Sequence, residues 1–116
     1  MPVTNLKVEW TYRPDALVVT VTGEIDAGTV VHLRDGLGAA RAGAPVPPPR
    51  TLVLDLLRVG FLDSGGLALL VEVSRECEAA GQEFILACTS RPVLRPLELT
   101  GLDRVFTIAS AVPSAA

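Results

Sequence analysis

The stretch Thr51-Leu52-Val53-Leu54-Asp55-Leu56-Leu57, followed by Arg58–Leu62 and then Asp63-Ser64-Gly65-Gly66, decides the fold. Its first part is a nearly unbroken apolar run without alternation, the pattern of a strand covered on both faces, as in a parallel sheet. Arg58-Val59-Gly60-Phe61-Leu62 reads as a loop, and Asp63-Ser64-Gly65-Gly66 opens a long helix that runs to Ala80 and stops at Gly81. A second buried strand, Gln82–Cys88, follows directly. Strand, helix, strand with short connections is the unit from which parallel sheets are built.

Working outward, Leu6, Val8, Trp10 and Tyr12 alternate with Lys7, Glu9 and Thr11, which predicts a half-buried strand. Arg13-Pro14-Asp15 is a turn, and the β-branched run Ala16–Thr22 is a second strand, antiparallel to the first and ended by Gly23. Asp26 is a helix N-cap, and Thr29–Ala42 carries Val30, Leu33, Leu37 and Ala40 at helical spacing. Gly36 and Gly38 each cost about 1 kcal/mol of helix preference against Ala, so close packing is the alternative reason for them. The segment Gly43–Arg50, with Pro45 and Pro47–Pro49, is a stiff surface connection too short to separate two domains. Beyond Cys88, Ser90 caps a helix starting at Pro92, which Pro96 makes short or kinked. Thr100-Gly101-Leu102 stops that helix and Arg104–Ile108 is a last strand. The order is β-β-α-β-α-β-α-β. It predicts a single α/β domain over residues 1–116, with a core of about 5–110 and a tail, 111–116, that frays. Its sheet is mixed and mostly parallel, with about four to five strands and helices packed on it.

Composition bounds the chemistry. With 116 residues, 49% hydrophobic and 20% charged, the chain has the profile of a globular domain and not of a disordered one. Its formal net charge of −3 gives no drive toward phosphate backbones, which argues against direct nucleic-acid binding. One His and two Cys do not supply a nitrogen and sulfur metal site, so no metal and no cofactor is expected, and Cys77 and Cys88 read as small core residues. The N-terminus lacks a signal-peptide pattern and no apolar run approaches the ~20 residues that span a bilayer, so the expected location is cytoplasmic, with no membrane partner.

Three acids end or follow strands: Asp26, Asp55 and Asp63. A phosphoacceptor receiver would need an acidic pair after the first strand and a Lys near the last, but the only Lys is Lys7. Asp55 reads as an internal strand residue or the partner of a nearby amide. Ser64 lacks the Gly-x-Ser-x-Gly setting of a nucleophile elbow, and the sole His, His32, falls on the first helix as an exposed residue, so hydrolysis is not expected. Locally, Asp63-Ser64-Gly65-Gly66 is a loop-to-helix junction that could be no more than a cap. The same geometry suits a switch: a phosphate on Ser64 would meet free N–H groups and the positive end of the helix dipole while adding up to about two negative charges to the surface.

Four stretches together carry a resemblance. Gly23-Glu24-Ile25-Asp26, Leu52–Leu56, Phe61-Leu62-Asp63-Ser64-Gly65-Gly66-Leu67 and Leu97–Phe106 occur in the order found in STAS domains, and the chain resembles the single-domain bacterial anti-sigma factor antagonists over roughly residues 5 to 110. The resemblance implies a non-enzymatic, partner-switching phosphoprotein of transcription regulation. In the family the unmodified antagonist binds an anti-sigma factor that is also a serine kinase, releasing the sigma factor; phosphorylation on the Ser after the motif Asp ends the complex, and a phosphatase resets it. Carried over, the acceptor is Ser64 and the preceding acid is Asp63. The next position, commonly Ser or Thr in the family, is Gly65 here, which implies a more flexible loop. The Pro-rich segment 45–49 is longer than the family's usual connection.

On the long helix, Leu67, Leu70, Val71, Ser74 and Cys77 form a stripe toward the sheet, with Glu72, Arg75 and Glu76 pointing away and Leu69 and Val73 at the margin. A docking surface is expected to combine Leu69 with Asp63, Ser64 and Gly65 and with Asp26 and Thr29 on the neighbouring loop; burial of Leu69 would rule its part out. A monomer is expected, since a switch needs a free surface. The alternative class is a non-switching STAS scaffold attached to a lipid or anion transporter, in which Ser64 need not be modified.

Overall fold

The structure, a computed structural model, describes residues 6–114. Strands β1 (Leu6–Tyr12) and β2 (Ala16–Ile25) form the opening hairpin, in antiparallel register from Leu6↔Gly23 to Tyr12↔Leu17. Helix α1 (Val30–Ala42) follows, then β3 (Thr51–Leu62), α2 (Ser64–Ala79), β4 (Glu83–Ala87), α3 (Arg91–Thr100), a short 3-10 turn at Leu102–Arg104, and β5 (Thr107–Ala109). The sheet order is β1-β2-β3-β4-β5, with every pair parallel except the first. The expected element order and mixed, mostly parallel sheet are those of the structure.

The differences are local, and one matters for the site. The residues Arg58–Leu62 are not a loop: β3 continues through them, paired with Thr22–Ile25. Two irregularities accommodate this length. Leu56 and Leu57 stand opposite the single Val21, and Gly60 is the extra residue between Val59, opposite Gly23, and Phe61, opposite Glu24. At the first of these the Asp55 carboxylate accepts the Leu57 N–H at 3.0 Å, the amide-partner role expected of it. Likewise Gly23 does not end β2. It takes a φ of 121° within the strand, beside the second irregularity, and β2 runs on to Ile25. A polar, interrupted run thus holds strand geometry because its neighbour supplies the hydrogen bonds.

Cross-strand pairing puts Leu17, Val19 and Val21 on the same sheet face as Leu52, Leu54 and Leu86, and that face is buried under α1 and α2. Gly36 explains itself here: a Cβ on it would lie 2.7 Å from Val8 Cγ1, so α1 can approach β1 only with glycine at this point. Gly38 has no such neighbour. Tyr12 closes the hairpin against the helix, its hydroxyl donating to the Ala40 carbonyl at 2.7 Å. Phe84 and Phe106 meet edge to face with centroids 5.9 Å apart. Cys77 and Cys88 are buried free thiols, as the composition suggested.

Helix α3 spans ten residues and passes through Pro96 instead of ending early. Pro96 cannot donate to the carbonyl one turn earlier, but that carbonyl belongs to Pro92, an exposed residue at the start of the helix, so the missing bond is not one inside the core. Gly101, with φ of 75°, ends the helix as expected. The last strand is shorter than the sequence suggests, because Leu102–Arg104 forms the 3-10 turn. In the tail, the Arg13 guanidinium donates to the Pro113 carbonyl at 2.9 Å beside the hairpin turn; residues 115–116 lie outside the described range.

Candidate functional site

The carboxyl ends of β2 and β3 arrive side by side, with Glu24 opposite Phe61 and Ile25 opposite Leu62. The chain leaves them in step: the Asp63 N–H donates to the Ile25 carbonyl at 3.1 Å. The loop after β2, carrying Asp26 and Thr29, therefore lies beside the start of α2, carrying Asp63, Ser64 and Gly65. The region beyond the carboxyl ends of parallel strands is where open α/β sheets place their functional groups.

Asp63 is the N-cap of α2. Its backbone is extended, with φ of −100° and ψ of −173°, and its Oδ1 accepts the Gly66 N–H at 3.0 Å. Leu67 N–H to the Asp63 carbonyl, at 3.0 Å, is the first bond of the helix ladder. Ser64 occupies the first helical position and is exposed; Gly65 is the second and is half-buried. The N–H groups of these two residues precede the ladder, so they point out of the helix end without intrahelical acceptors. An anion attached at Ser64 would sit among donors and at the positive end of the helix dipole.

Gly66 fixes how near α2 begins to the sheet. A Cβ there would lie 2.8 Å from Ile25 Cγ2 and would overlap the Leu62 side chain. Gly65 is different: a Cβ on it would touch only Asp63 Oδ1, at 3.3 Å. The expectation that Gly65 loosens a loop is corrected, since it lies inside the helix; its effect is a lower helix preference in the first turn.

On the β2 side, Asp26 is not the N-cap of α1; Thr29 holds that position and its side chain makes no cap bond. The Asp26 carboxylate instead accepts the N–H groups of Gly28 at 2.9 Å and Thr29 at 3.0 Å, a turn one step ahead of the helix. Thr29 is buried; its hydroxyl donates to the Glu24 carbonyl at 2.7 Å and accepts the Asp26 N–H at 2.9 Å. Thr29 thus shapes the loop and does not face a partner.

Leu69 is corrected outright. It is 2% exposed, and Val73 beside it is buried too. The stripe of α2 is centred on Leu69, Leu70, Val73 and Cys77, with Leu67, Val71 and Ser74 only partly covered. The rotation has a tertiary cause. Helix α2 packs against α1 as well as the sheet, and the pairs Arg34–Glu72 at 3.1 Å and Arg41–Glu76 at 3.2 Å hold the two helices together over Leu69 and Val73. What stays exposed near Ser64 lies on the other side: Phe61 at the end of β3 and Leu99 on α3, neither singled out by the sequence. A signal was available for Leu99, because Val93 and Leu97 mark the buried side of α3 and Leu99 falls off it.

His32 is exposed on α1, as expected, and among the described residues no three His, Cys, Asp or Glu side chains converge as a metal site. No helix among the described residues is long and apolar enough to cross a membrane.

Known proteins share this fold. The anti-sigma-F factor antagonist RsfB of Mycobacterium tuberculosis is 34% identical over 115 residues, covering 88% of this chain and 88% of its own length. The crystal structure of an anti-sigma factor antagonist from Mycobacterium paratuberculosis superposes with a TM-score of 0.80 at 31% identity, over 92% of this chain and 87% of that one. The antagonist SpoIIAA in its unphosphorylated form superposes with a TM-score of 0.70 at 25% identity, over 90% of this chain and 88% of that one. The family model described as STAS domain matches residues 7–115, from the second residue of β1 to the C-terminal tail, and the chain belongs to the STAS domain family.

Proposed function

We propose that this chain is an anti-sigma factor antagonist that binds an anti-sigma factor with serine kinase activity while unphosphorylated and is switched off by phosphorylation on Ser64. The observation that carries the reading is the exposed Ser64 hydroxyl at the first position of a helix whose cap, Asp63, is a different residue. Modification therefore leaves the Asp63–Gly66 cap bond in place, and the fold tolerates it. The relatives reported above are named as antagonists of anti-sigma factors, which supports the same reading and gives the transporter-scaffold alternative no support.

The chemistry is done to this chain by its partner. The Ser64 Oγ attacks the γ-phosphorus of ATP, an Oγ–P bond forms, the bond to the β,γ-bridging oxygen breaks, ADP departs, and the hydroxyl proton passes to a base of the kinase. The product gains up to about two negative charges on a chain of formal charge −3, at a helix end that favours anions by roughly 0.3–1 kcal/mol. The surface changes while the fold does not, which releases a partner without unfolding the antagonist. Asp26, Asp63 and Gly65 frame the hydroxyl on the docking surface, a phosphatase resets it, and the protein works as a cytoplasmic monomer.

The test is incubation with the candidate anti-sigma kinase and ATP, followed by intact-mass measurement. Wild type gains one phosphoryl group, Ser64→Ala gains none, and Ser64→Glu no longer binds the kinase. Undiminished phosphorylation of Ser64→Ala would falsify the site assignment.

A further inference from the structure

The end of β3 and the first turns of α2 form one wall of an apolar groove whose other wall is α3. Phe61 and Leu67 line the first wall, and Pro92, Pro96 and Leu99 line the second; Arg95 is the one charged side chain among the lining residues. Leu67 packs partly against the core, but Phe61 and Leu99 do not belong to it. Helix α3 packs inward through Val93 and Leu97, leaving Leu99 72% exposed, and Phe61 is 44% exposed across from it. Facing apolar groups left in water at one spot are the mark of a surface that something covers.

Two further observations say what covers it. Ser64 and Leu67 are three residues apart on α2 and share a helix face, so the hydroxyl stands at the rim of the groove. Arg95 has no ion-pair partner among the described residues, whereas Arg91, one turn earlier, is paired with Glu98 at 3.5 Å. An unpaired cation beside an apolar floor complements a segment with apolar side chains and a carboxylate.

We propose that this groove docks such an apolar, carboxylate-bearing segment of the anti-sigma factor, with the carboxylate against Arg95. The proposal rests on the antagonist reading and adds the surface the partner uses. It also supplies a physical cause for the switch. A phosphate on Ser64 places negative charge at the rim over which the partner's carboxylate must lie, so like-charge repulsion ejects the segment from an otherwise unchanged groove.

The experiment is calorimetric titration of the full chain with the candidate anti-sigma kinase, alongside the phosphorylation assay on Ser64. Leu99→Glu and Arg95→Glu each weaken binding at least tenfold without lowering the thermal midpoint, since both side chains are exposed. Val105→Glu, at a position 68% exposed but outside the groove, changes binding less than twofold. Wild-type affinity in both Leu99→Glu and Arg95→Glu overturns the groove and leaves the antagonist reading standing. A wild-type chain that neither binds the kinase nor accepts phosphate overturns that reading and the groove's occupant with it. Sedimentation of the chain alone as a dimer that Leu99→Glu dissociates overturns the proposal in favour of a second copy as the occupant.

Discussion

Replacing Gly66 by Ala tests whether the position of Ser64 is set by the close approach of α2 to the strand ends. The added methyl would lie 2.8 Å from Ile25 Cγ2, inside the ~3.5–4.0 Å of a relaxed carbon contact. Ile25 and Leu62, the two side chains in its way, are 0% and 3% exposed and have nowhere to swing. Overfilling a packed site costs about 1–3 kcal/mol, and with two buried side chains in the way the upper part of that range, about 2–3 kcal/mol, applies. Against that, Ala improves helix preference by up to about 1 kcal/mol over Gly. The net expectation is a loss of about 1–2 kcal/mol, which lowers the thermal midpoint by roughly 4–8 °C at ~4 °C per kcal/mol for a domain of this size. Relief comes from α2 moving away from the sheet, so Ser64 phosphorylation slows under conditions where the variant is fully folded. Gly65→Ala is the control: its methyl meets only the Asp63 carboxylate, at 3.3 Å, and stability stays within about 0.5 kcal/mol of wild type. Thermal and urea unfolding followed by circular dichroism measure both variants. A Gly66→Ala protein as stable as wild type, or a Gly65→Ala protein equally damaged, refutes the reasoning.

Other perturbations separate the remaining claims. Asp63→Ala removes the bond to the Gly66 N–H and lowers stability by about 1 kcal/mol in urea unfolding, while Asp63→Asn, which keeps an acceptor, loses less. Gly38→Ala raises stability by about 0.5–1 kcal/mol, because the position is exposed, lies inside α1 and has open space around it; unchanged stability would contradict this. Leu69→Ala costs about 2–5 kcal/mol in the same assay, as a core truncation does. A variant that loses kinase affinity with stability intact would instead return Leu69 to the docking surface. Burial pushes the Cys88 thiol from its ordinary value of 9.0 up to about 11, so the folded chain resists thiol alkylation at pH 8 and reacts once unfolded. The unfolded thiol ionises first; the contribution of Cys88 to stability is therefore whole below pH 9.0 and is lost as the pH rises toward about 11. Urea midpoints across that range fall less steeply for Cys88→Ala than for wild type.

Element types were legible because local pattern and tertiary role agree at most positions. The alternation from Leu6 to Tyr12 and the apolar runs at Thr51–Leu57 and Gln82–Cys88 became β1, β3 and β4, and Ser64 lies at the helix start that its Asp and Gly neighbours announce. What misled was local signal overruled by a neighbour. Gly23 and the sequence Arg-Val-Gly-Phe-Leu look like turn chemistry, yet β2 and β3 supply each other with ladder partners through both. Pro96 looks like a helix end, yet the residue whose carbonyl loses its partner, Pro92, is exposed and outside the core.

By itself, then, the sequence determined the order of elements, the mostly parallel sheet and the place of Ser64 at a helix start, because hydrophobic period and capping chemistry are written residue by residue. Tertiary structure alone decided what surrounds that hydroxyl. Leu69 is taken from the surface because α1 crosses α2 above it, and Thr29 because its hydroxyl is bonded inside its own loop. Phe61 and Leu99 become neighbours only because β3 runs five residues past its apolar stretch, to Leu62, and α3 packs across its end. Which face of an amphipathic helix is free depends on how many elements pack against it, and that number is a property of the assembled fold.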